Sequence, residues 1–413
     1  MIPEKPRLRA LEVIPCEMEG EQVIVLRDPT NMAPGQAVLH SAMLHILILM
    51  NGENTVRDMQ VALTRQFGEL VPSDKLAEMI GQLDEALFLE SERFDEYVAN
   101  LKKLYRESPS REAAHAGTGY PEEEAELREF LDSLFTENGG PGLPESRGTG
   151  RPLRGFIAPH IDLGRGGLCY ARTYRRVMEA APAETYVILG TSHSGSAPVS
   201  LTAKDFETPI GKVRADAGRV EALARGMEDA YFEDELAHLN EHTIEFQALM
   251  LQHALGGRAD FSIVPVLCSR LTDAETNPAG ERGGEIRREI RNLCDTLASW
   301  AGEGPEKVCI IASADLSHVG ARFGQQIPIS PLLLKQVENA DRTLLGFAGK
   351  GDPDGFLEHA RQECEDLNVC GIPPIYVLLN ALRGREAELV SYQQSVEEEM
   401  GSMVTFAGMA FHA

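Results

Sequence analysis

Short apolar segments alternate with amphipathic helical segments over residues 153–411, and this alternation constrains the fold more than any other feature. Four of the apolar segments read "GFIAP", "YVILGTS", "SIVPVLC" and "VCIIASAD". The helical segments between them repeat apolar residues every three or four positions. Strands that are apolar throughout must be covered on both faces, as parallel strands between helices are. The sequence therefore predicts an α/β fold with a mixed, mostly parallel central sheet.

Composition limits the class of protein and its partners. The length of 413 residues suits two or three domains at roughly 100–200 residues each. A formal net charge of −25 argues against nucleic acid or an anionic membrane surface as partner, because both bind basic patches. We expect no signal peptide and no membrane span, since the first residues are charged and the apolar runs are short. Seven cysteines without a CxxC motif predict free thiols and a cytoplasmic location.

Residues 1–100 are predicted to form a separate small domain, followed by a second domain over residues 107–413. "EQVIVLRDP" predicts a β-hairpin that turns at Asp28 and Pro29, and "GQAVLHSAMLHILILMNG" predicts a helix. Thr55 and Gly68 are suited to begin and end a second helix. A third helix leading into a short strand completes a winged-helix-like α+β domain, and residues 99–110 are predicted to be a connection.

Three predicted strands of the second domain end in residues that can carry chemistry. His160 follows "GFIAP", His193 follows "YVILGTS", and Asp315 ends "CIIASAD" with His318 three residues later. The carboxyl ends of parallel strands meet at one edge of a sheet. A single histidine is more often structural, but this joint placement predicts a functional site.

Two further candidates lie at helix starts. Glu241 and His242 open "EHTIEFQALMLQHAL"; there Glu241 and Glu245 are expected to share one face while His242 points elsewhere. The alternative role for both glutamates is a favourable interaction with the helix N-terminus. Cys370 precedes a Pro-initiated helix, where the pKa of a thiol is lowered and metal binding favoured. The other six cysteines lie mostly in apolar segments typical of a core.

Two histidines and an anionic ligand form a metal site with open positions. A carboxylate as third ligand indicates non-haem iron, whereas a thiolate favours zinc or copper and is compatible with iron. Asp315 and His318 would complete the shell, orient ligands or exchange protons. The glycines of "HIDLGRGG" do not match a phosphate-binding loop, so we interpret them as allowing a sharp turn from strand to helix.

The motifs resemble a known family. "REAAHAGTGY", "IAPHIDLGRGG", "ILGTSHSG", "FETPIGKVRAD", "EHTIEFQ", "IVPVLC", "SADLSHVGARFG" and "NVCGIPPIYVLLNAL" have the order and spacing of the Memo family, called AmmeMemoRadiSam system protein B in prokaryotes. The resemblance covers about residues 107–413. It implies a three-layer α/β sandwich similar to class III extradiol (LigB-type) dioxygenases. It also implies iron or copper binding, redox activity, and association with radical SAM and AMMECR1-type proteins.

The resemblance also implies roles for particular residues. Two histidines and a cysteine look like the metal ligands of the family. The residues that match are His160, His193 and Cys370 as ligands, with His242, Asp315 and His318 as the catalytic pocket.

Two positions depart from the family pattern. An aromatic turn often follows the first histidine of the family, but here the acid Asp162 follows and is predicted to line the pocket with Glu241. Val319 stands where the family usually has an aromatic residue after His318. The substrate is therefore left open between a small molecule and a peptide.

The N-terminal domain is similar to PqqD-like peptide-recognition modules, which bind peptides at a strand edge; a structural or partner-docking domain is the alternative. The sequence predicts a dioxygenase-like oxidoreductase with a mononuclear metal, iron being expected and copper or zinc being alternatives. Two other functions stay open. One is a non-catalytic peptide- or ligand-binding scaffold with a vestigial metal pocket, and the other is metal-assisted hydrolysis.

Overall fold

The computed structural model describes residues 2–18, 20–30, 32–68, 70–195, 197–225, 234–257, 259–269, 283–397 and 400–413. The chain divides into two compact units, Met1–Ser108 and Pro109–Ala413. None of the helices within these described ranges is both long and apolar enough to cross a bilayer.

The N-terminal unit consists of a small antiparallel sheet and four helices. The strands are β1 (Glu12–Met18), β2 (Glu21–Arg27) and β3 (Gln36–His40), and the helices are α1 (Leu44–Leu49), α2 (Val56–Phe67), α3 (Ser73–Glu85) and α4 (Glu92–Glu107). Ile24 and Leu26 alternate along β2 and face the helices, where they join a core with Met59 and Ile80.

The helix ends predicted for α2 are confirmed. The Thr55 side chain accepts a hydrogen bond from the backbone N–H of Asp58, whose carboxylate accepts one from the Thr55 backbone, so the two residues form a capping box. Gly68 ends the helix in the left-handed region at φ 74°, where glycine is favoured.

The turn predicted at Asp28 and Pro29 is confirmed, because β2 pairs antiparallel with β3 and both residues lie in the connection between the two strands. A second hairpin, formed by β1 and β2, turns at Gly20 (φ 84°). Two other local predictions in this unit were wrong. The segment Gln36–His40 is a strand, because apolar and polar residues alternate there before the helical spacing begins. Most of the predicted connection at 99–110 is the end of α4.

The second unit is built around one large sheet. Its strands are β4 (Ser110–Arg111), β5 (Leu153–Ala158), β6 (Thr185–Thr191), β7 (Val199–Leu201), β8 (Asp205–Thr208), β9 (Gly211–Ala215), β10 (Ser262–Cys268), β11 (Val308–Ser313), β12 (Asp315–Gly320), β13 (Glu388–Glu397) and β14 (Ser402–His412). Its helices are α5 (Glu124–Thr136), α6 (Leu163–Glu179), α7 (Ala217–Arg225), α8 (His242–Leu255), α9 (Gly283–Glu303), α10 (Pro331–Gly349), α11 (Pro353–Glu363) and α12 (Ile372–Ala381). A short 3₁₀ helix, Glu235–His238, precedes α8.

The strand order is β12-β14-β5-β11-β6-β10-β9-β8-β4, with β13 beside β14 and β7 beside β10. The four central strands β5, β11, β6 and β10 are parallel, while β14 joins β5 antiparallel. The predicted α/β fold with a mixed sheet is therefore confirmed. Parallel strands at the centre bring the ends of β5, β6 and β11 to one edge.

Helices pack on both faces of this sheet. Along β6, Val187 and Leu189 enter one apolar core with α9 and α12, and Tyr186 and Ile188 enter another with α5, α6 and α8. This alternation follows the two-residue period of a strand, and it explains why β6 is apolar throughout.

The glycines after the first histidine lie within α6 and not in a turn. A Cβ at Gly166 would lie 2.6 Å from Ile161 Cγ2, and one at Gly167 would lie 2.6 Å from Leu134 Cδ2. Our interpretation of a sharp turn was wrong, because these glycines allow close packing of α6 against the chain before it and against α5.

Candidate metal centre

The ligand atoms of three residues converge at the carboxyl edge of the central strands. His160 follows β5, His193 follows β6, and Cys370 precedes α12. One nitrogen of each histidine and the Cys370 Sγ lie within 4.8 Å of one another. The distance from Cys370 Sγ to His160 Nε2 is 3.3 Å. Donor atoms that share one metal at 2.0–2.3 Å lie about 3.5 Å apart in a tetrahedral shell, so the spacing fits a single ion.

His160 is oriented by hydrogen bonds on its other side. Its Nδ1 lies 3.0 Å from the carbonyl of Ser313, so Nδ1 carries the proton and Nε2 is the ligating nitrogen. Its backbone N–H donates to Asp315 Oδ1 at 2.9 Å. Burial lowers the pKa of His160, which keeps the imidazole neutral as a ligand must be.

His193 is held in the same way by a carboxylate. Its backbone N–H donates to Glu241 Oε2 at 2.9 Å, and its Nδ1 lies 3.1 Å from Oε1. Burial of Glu241 favours the neutral acid, but His193 and His242 outweigh it and hold the pKa of Glu241 well below its usual value. The His193 side chain is 41% exposed, so the centre is open to solvent on this side.

Cys370 is placed by a glycine and activated by the histidines. A Cβ at Gly371 would clash with the backbone of Asp315, so only glycine lets the chain approach β12 here. Burial works to raise the pKa of the Cys370 thiol, but His160 and His193 lower it on balance. The centre therefore favours a thiolate, which is the form that binds metals.

His242 belongs to the same cluster, although the sequence predicted that it would point away from Glu241. Its Nδ1 lies 3.1 Å from Glu241 Oε1, its ring stacks on His193 at 5.1 Å between centroids, and it meets His160 edge-on at 5.4 Å. His193, Glu241 and His242 form a second candidate ligand group. The prediction that Glu241 and Glu245 share one helix face was wrong, because Glu241 is the N-cap of α8 and has extended backbone angles.

Arg111 and Glu245 form a second buried polar cluster at the start of α8, and both side chains have 0% exposure. Arg111 Nη1 donates to Glu245 Oε2, while Nε and Nη2 donate to the carbonyls of His238 and Glu241, each at 2.8 Å. Glu245 Oε1 accepts from the Tyr120 hydroxyl and from a backbone N–H. We call this the Arg111–Glu245 network.

Sequence reasoning missed the network and His115. The His115 ring lies 5.7 Å from the His242 ring, its Nε2 lies 3.0 Å from the Asn240 carbonyl, and burial lowers its pKa. The available signal was the motif "REAAHAGTGY", which contains Arg111, His115 and Tyr120.

The remaining predicted residues differ in their contacts. Asp315 is buried beside His160, and its Oδ2 lies 3.6 Å from His160 Nε2. Burial raises the pKa of Asp315 and lowers the pKa of His318. The His318 ring packs edge-on against Phe323 at 5.0 Å, which supplies the aromatic neighbour that Val319 does not. Asp162 is the N-cap of α6 and accepts from the Arg165 backbone N–H at 2.9 Å. Its predicted pocket role stays a prediction.

Comparisons with known proteins identify the family of the chain. The family described as Memo-like protein matches residues 111–410. A MEMO1 family protein of Aquifex aeolicus is 26% identical over 412 residues, which cover 99% of this chain and 100% of the relative. A MEMO1 family protein of Methanopyrus kandleri is 30% identical over 311 residues, which cover 73% of this chain and 98% of the relative.

One solved structure, an uncharacterized protein of Escherichia coli K12, matches 63% of this chain and 99% of its own with 14% identity and a TM-score of 0.38. The family assignment rests on the sequence comparisons. The chain belongs to the Memo-like protein family, which confirms the predicted resemblance.

Proposed function

We propose that this protein is a metal-dependent oxidoreductase of the dioxygenase-like type. One observation carries the proposal: His160, His193 and Cys370 bring their ligand atoms within 4.8 Å of one another. The donor set fits a metal, because both histidines have their Nδ1 atoms engaged and the thiol has a lowered pKa. His160 Nε2, His193 Nε2 and Cys370 Sγ would hold the ion.

Bound iron, or copper in its place, would supply a redox centre with open positions for dioxygen and substrate; zinc would serve only as a Lewis acid. Glu241 holds the ring of His193 and keeps a proton on its Nδ1. His242, also fixed at Nδ1 by Glu241, exchanges a proton with the substrate through Nε2. Asp315 orients His160 by accepting a hydrogen bond from its backbone N–H, and with His318 it would form part of the catalytic pocket.

The family resemblance supports the wider parts of the proposal. The fold would be a three-layer sandwich similar to class III extradiol dioxygenases, and the protein would act in the cytoplasm. Radical SAM and AMMECR1-type proteins would be its partners. The N-terminal unit, with its small sheet and helices, would act as a PqqD-like peptide-recognition domain. The substrate would be a small molecule or a peptide.

Metal content tests the proposal directly. The full-length protein, purified without chelators and reconstituted with Fe(II) under argon, should hold about one ion per chain by plasma mass spectrometry. The double variant His160→Ala/His193→Ala should lose it, whereas His412→Ala, a substitution of a partly exposed histidine that belongs to neither candidate ligand group, should retain it. Equal metal content in all three proteins would contradict the proposed ligands.

Oxygen uptake separates an enzyme from a binding protein. With catechols and related phenols, the iron-loaded protein should consume dioxygen at a rate that the double variant loses. Stoichiometric metal without any metal-dependent oxygen uptake would favour the non-catalytic scaffold.

A further inference from the structure

Strand β12 contains a β-bulge, and this bulge lies next to the candidate metal centre. β12 pairs antiparallel with β14, with Asp315 opposite Phe406 and His318 opposite Val404. The two residues between Asp315 and His318 therefore lie opposite the single residue Thr405. Two residues that face one define a β-bulge, and bulges beside active sites change the direction of side chains.

The bulge places Asp315 and His318 on the same face of the sheet. In a regular strand, residues three positions apart point to opposite faces. Here both residues lie opposite alternate residues of β14, Phe406 and Val404, which share one face and one apolar cluster. Asp315 Oδ2 lies 3.6 Å from His160 Nε2. Burial lowers the pKa of His318, and the nearby charge of Asp315 opposes this change. The bulge is therefore what lets His318 share the face of Asp315.

The bulge also orients the His318 ring. His318 Nδ1 lies 3.0 Å from the carbonyl of Leu316, which is one of the two bulged residues. A carbonyl only accepts hydrogen bonds, so Nδ1 carries the proton and Nε2 is the basic nitrogen. The direction in which His318 presents its basic nitrogen thus depends on the conformation of the bulge.

One buried carboxylate connects the two strands at the bulge. Asp341 of α10 is 1% exposed; its Oδ1 accepts from the Ser317 hydroxyl and its Oδ2 from the Thr405 hydroxyl, both at 2.6 Å. The Thr405 hydroxyl also accepts from the Ser317 backbone N–H at 2.9 Å, a contact that a regular ladder makes to a backbone carbonyl. Tyr392 of β13 donates a third hydroxyl to Oδ2 at 2.8 Å.

The surroundings of Asp341 are hydroxyl groups and not a cation. Burial raises the pKa of Asp341, and the hydroxyls of Ser317, Thr405 and Tyr392 lower it without offsetting burial; no cation among the described residues contributes. A buried carboxylate is costly, and apolar residues of similar volume often fill such a position at lower cost. A carboxylate offers two acceptor oxygens, whereas asparagine offers one and leucine none. Stability alone therefore does not account for an acid at this position.

We propose that Asp341 is a positioning residue of the metal centre. Its carboxylate holds Ser317 and Thr405 in the bulge, and the bulge in turn fixes Asp315 and His318 on one face. Asp341 acts through these residues and belongs to neither candidate ligand group. The inference rests on the proposed function, in which Asp315 and His318 form part of the catalytic pocket.

The imidazole signals of metal-free, full-length protein test the positioning without any need for activity. In protein labelled with nitrogen-15 histidine at fixed neutral pH, the His318 signals are identified by their absence from His318→Gln. Asp341→Asn leaves one acceptor oxygen in place of two, so one hydroxyl of the bulge loses its partner, and the His318 signals should move. Thr405→Val, which has the same shape without the hydroxyl, should move them as well. Thr405→Ser, which keeps the hydroxyl, should leave them at the wild-type position.

Tyr392→Phe is the matched control. It removes a donor from the same carboxylate but on β13, which does not contain the bulge. It should lower stability in urea denaturation about as much as Thr405→Val does, yet leave the His318 signals in place. The proposal is overturned if Tyr392→Phe moves these signals as far as Thr405→Val, or if Asp341→Asn and Thr405→Val both fold with the signals unmoved. If Asp341→Asn does not fold, the two Thr405 variants decide.

Oxygen uptake by the iron-loaded protein gives a second readout. Thr405→Val should keep the wild-type metal content, because the three proposed ligands are unchanged. Its kcat should fall about tenfold or more with KM nearly unchanged, since a small misplacement of a reacting group is enough for such a loss. A fall of kcat in Tyr392→Phe as large as that in Thr405→Val would also overturn the proposal. Absence of metal-dependent uptake in the wild type would contradict the proposed function, whereas unmoved His318 signals would contradict the positioning, so the two failures are distinguishable.

Discussion

Glu241 and Glu245 lie four residues apart and are both buried, yet they belong to two regions with opposite properties. Glu241 faces His193 and His242, which are neutral or charged according to protonation and whose Nε2 atoms can bind a metal or a proton. Glu245 faces Arg111, which is permanently charged, and Tyr120. A carboxylate paired with histidines indicates a reactive centre, whereas one paired with a buried arginine indicates a structural anchor.

The two regions touch at one point. Arg111 donates to the backbone carbonyl of Glu241, so the anchor fixes the main chain from which the orienting carboxylate projects. The comparison predicts that damage to the Arg111–Glu245 network lowers stability, and that damage at Glu241 lowers metal affinity. The following experiments test that separation.

Removal of the buried arginine should have the largest effect. Arg111→Met leaves the carboxylate of Glu245 buried without its cation and should lower the free energy of unfolding by about 3–5 kcal/mol. Urea denaturation measures the change. Arg128→Met, which breaks an exposed pair with Glu124, should cost about 0–1 kcal/mol. Equal losses in the two variants would show that the network is not an anchor.

Substitution of the two glutamates compares the regions directly. Glu241→Gln removes the charge that orients His193 and should weaken metal binding about 10–100-fold. Glu245→Gln should leave the metal affinity within about threefold of the wild-type value, a margin that allows for small structural relaxations. The same variant should lower the free energy of unfolding. Competition with a chromophoric chelator gives both affinities. A loss of metal affinity in Glu245→Gln as large as that in Glu241→Gln would refute the separation.

His238 gives the network a dependence on pH. Its ring is buried, and its Nε2 lies 3.2 Å from the Ser200 carbonyl, while no acceptor among the described residues contacts Nδ1. Burial therefore lowers its pKa to about 3 in the folded chain, against an ordinary value of 6.5. Between these values the unfolded chain binds the extra proton, so stability falls as pH falls through this window and is constant above it.

The slope at pH 5 attributable to His238 is about 1.4 kcal/mol per pH unit. Urea denaturation of metal-free protein at several pH values from 4 to 7 measures it, and His238→Gln should remove it. His412→Gln, at the partly exposed end of β14, serves as the matched control. Parallel pH profiles for wild type and His238→Gln would contradict the expected titration.

Much of the fold could be predicted because its causes are local. The apolar runs of β5, β6, β10 and β11 and the helical periods between them reflect burial of neighbouring residues. The errors arose where two periods overlap, as at Gln36–His40, or where a helix continues through a segment predicted to be a connection, as α4 does.

The candidate site was partly predictable for the same reason. Parallel topology places all strand ends at one edge, so His160 and His193 could be paired from the sequence. Their orientation could not, because it depends on Ser313 and Glu241, which approach from other strands and helices. Asp162 is polar because it caps the N-terminus of α6, but this role could be recognised only once the start of α6 was known.

The sequence by itself determined the α/β character of the second unit, the order of its elements and the family to which the chain belongs. These follow from short-range periodicity and from motif order. Only the tertiary structure decided which ligand atoms meet, that Glu241 caps a helix while orienting His193, and that Arg111 pairs with Glu245 across 134 residues of chain. Such contacts depend on how whole layers pack, because the energy of a buried charge is set by partners in space and not by neighbours in sequence.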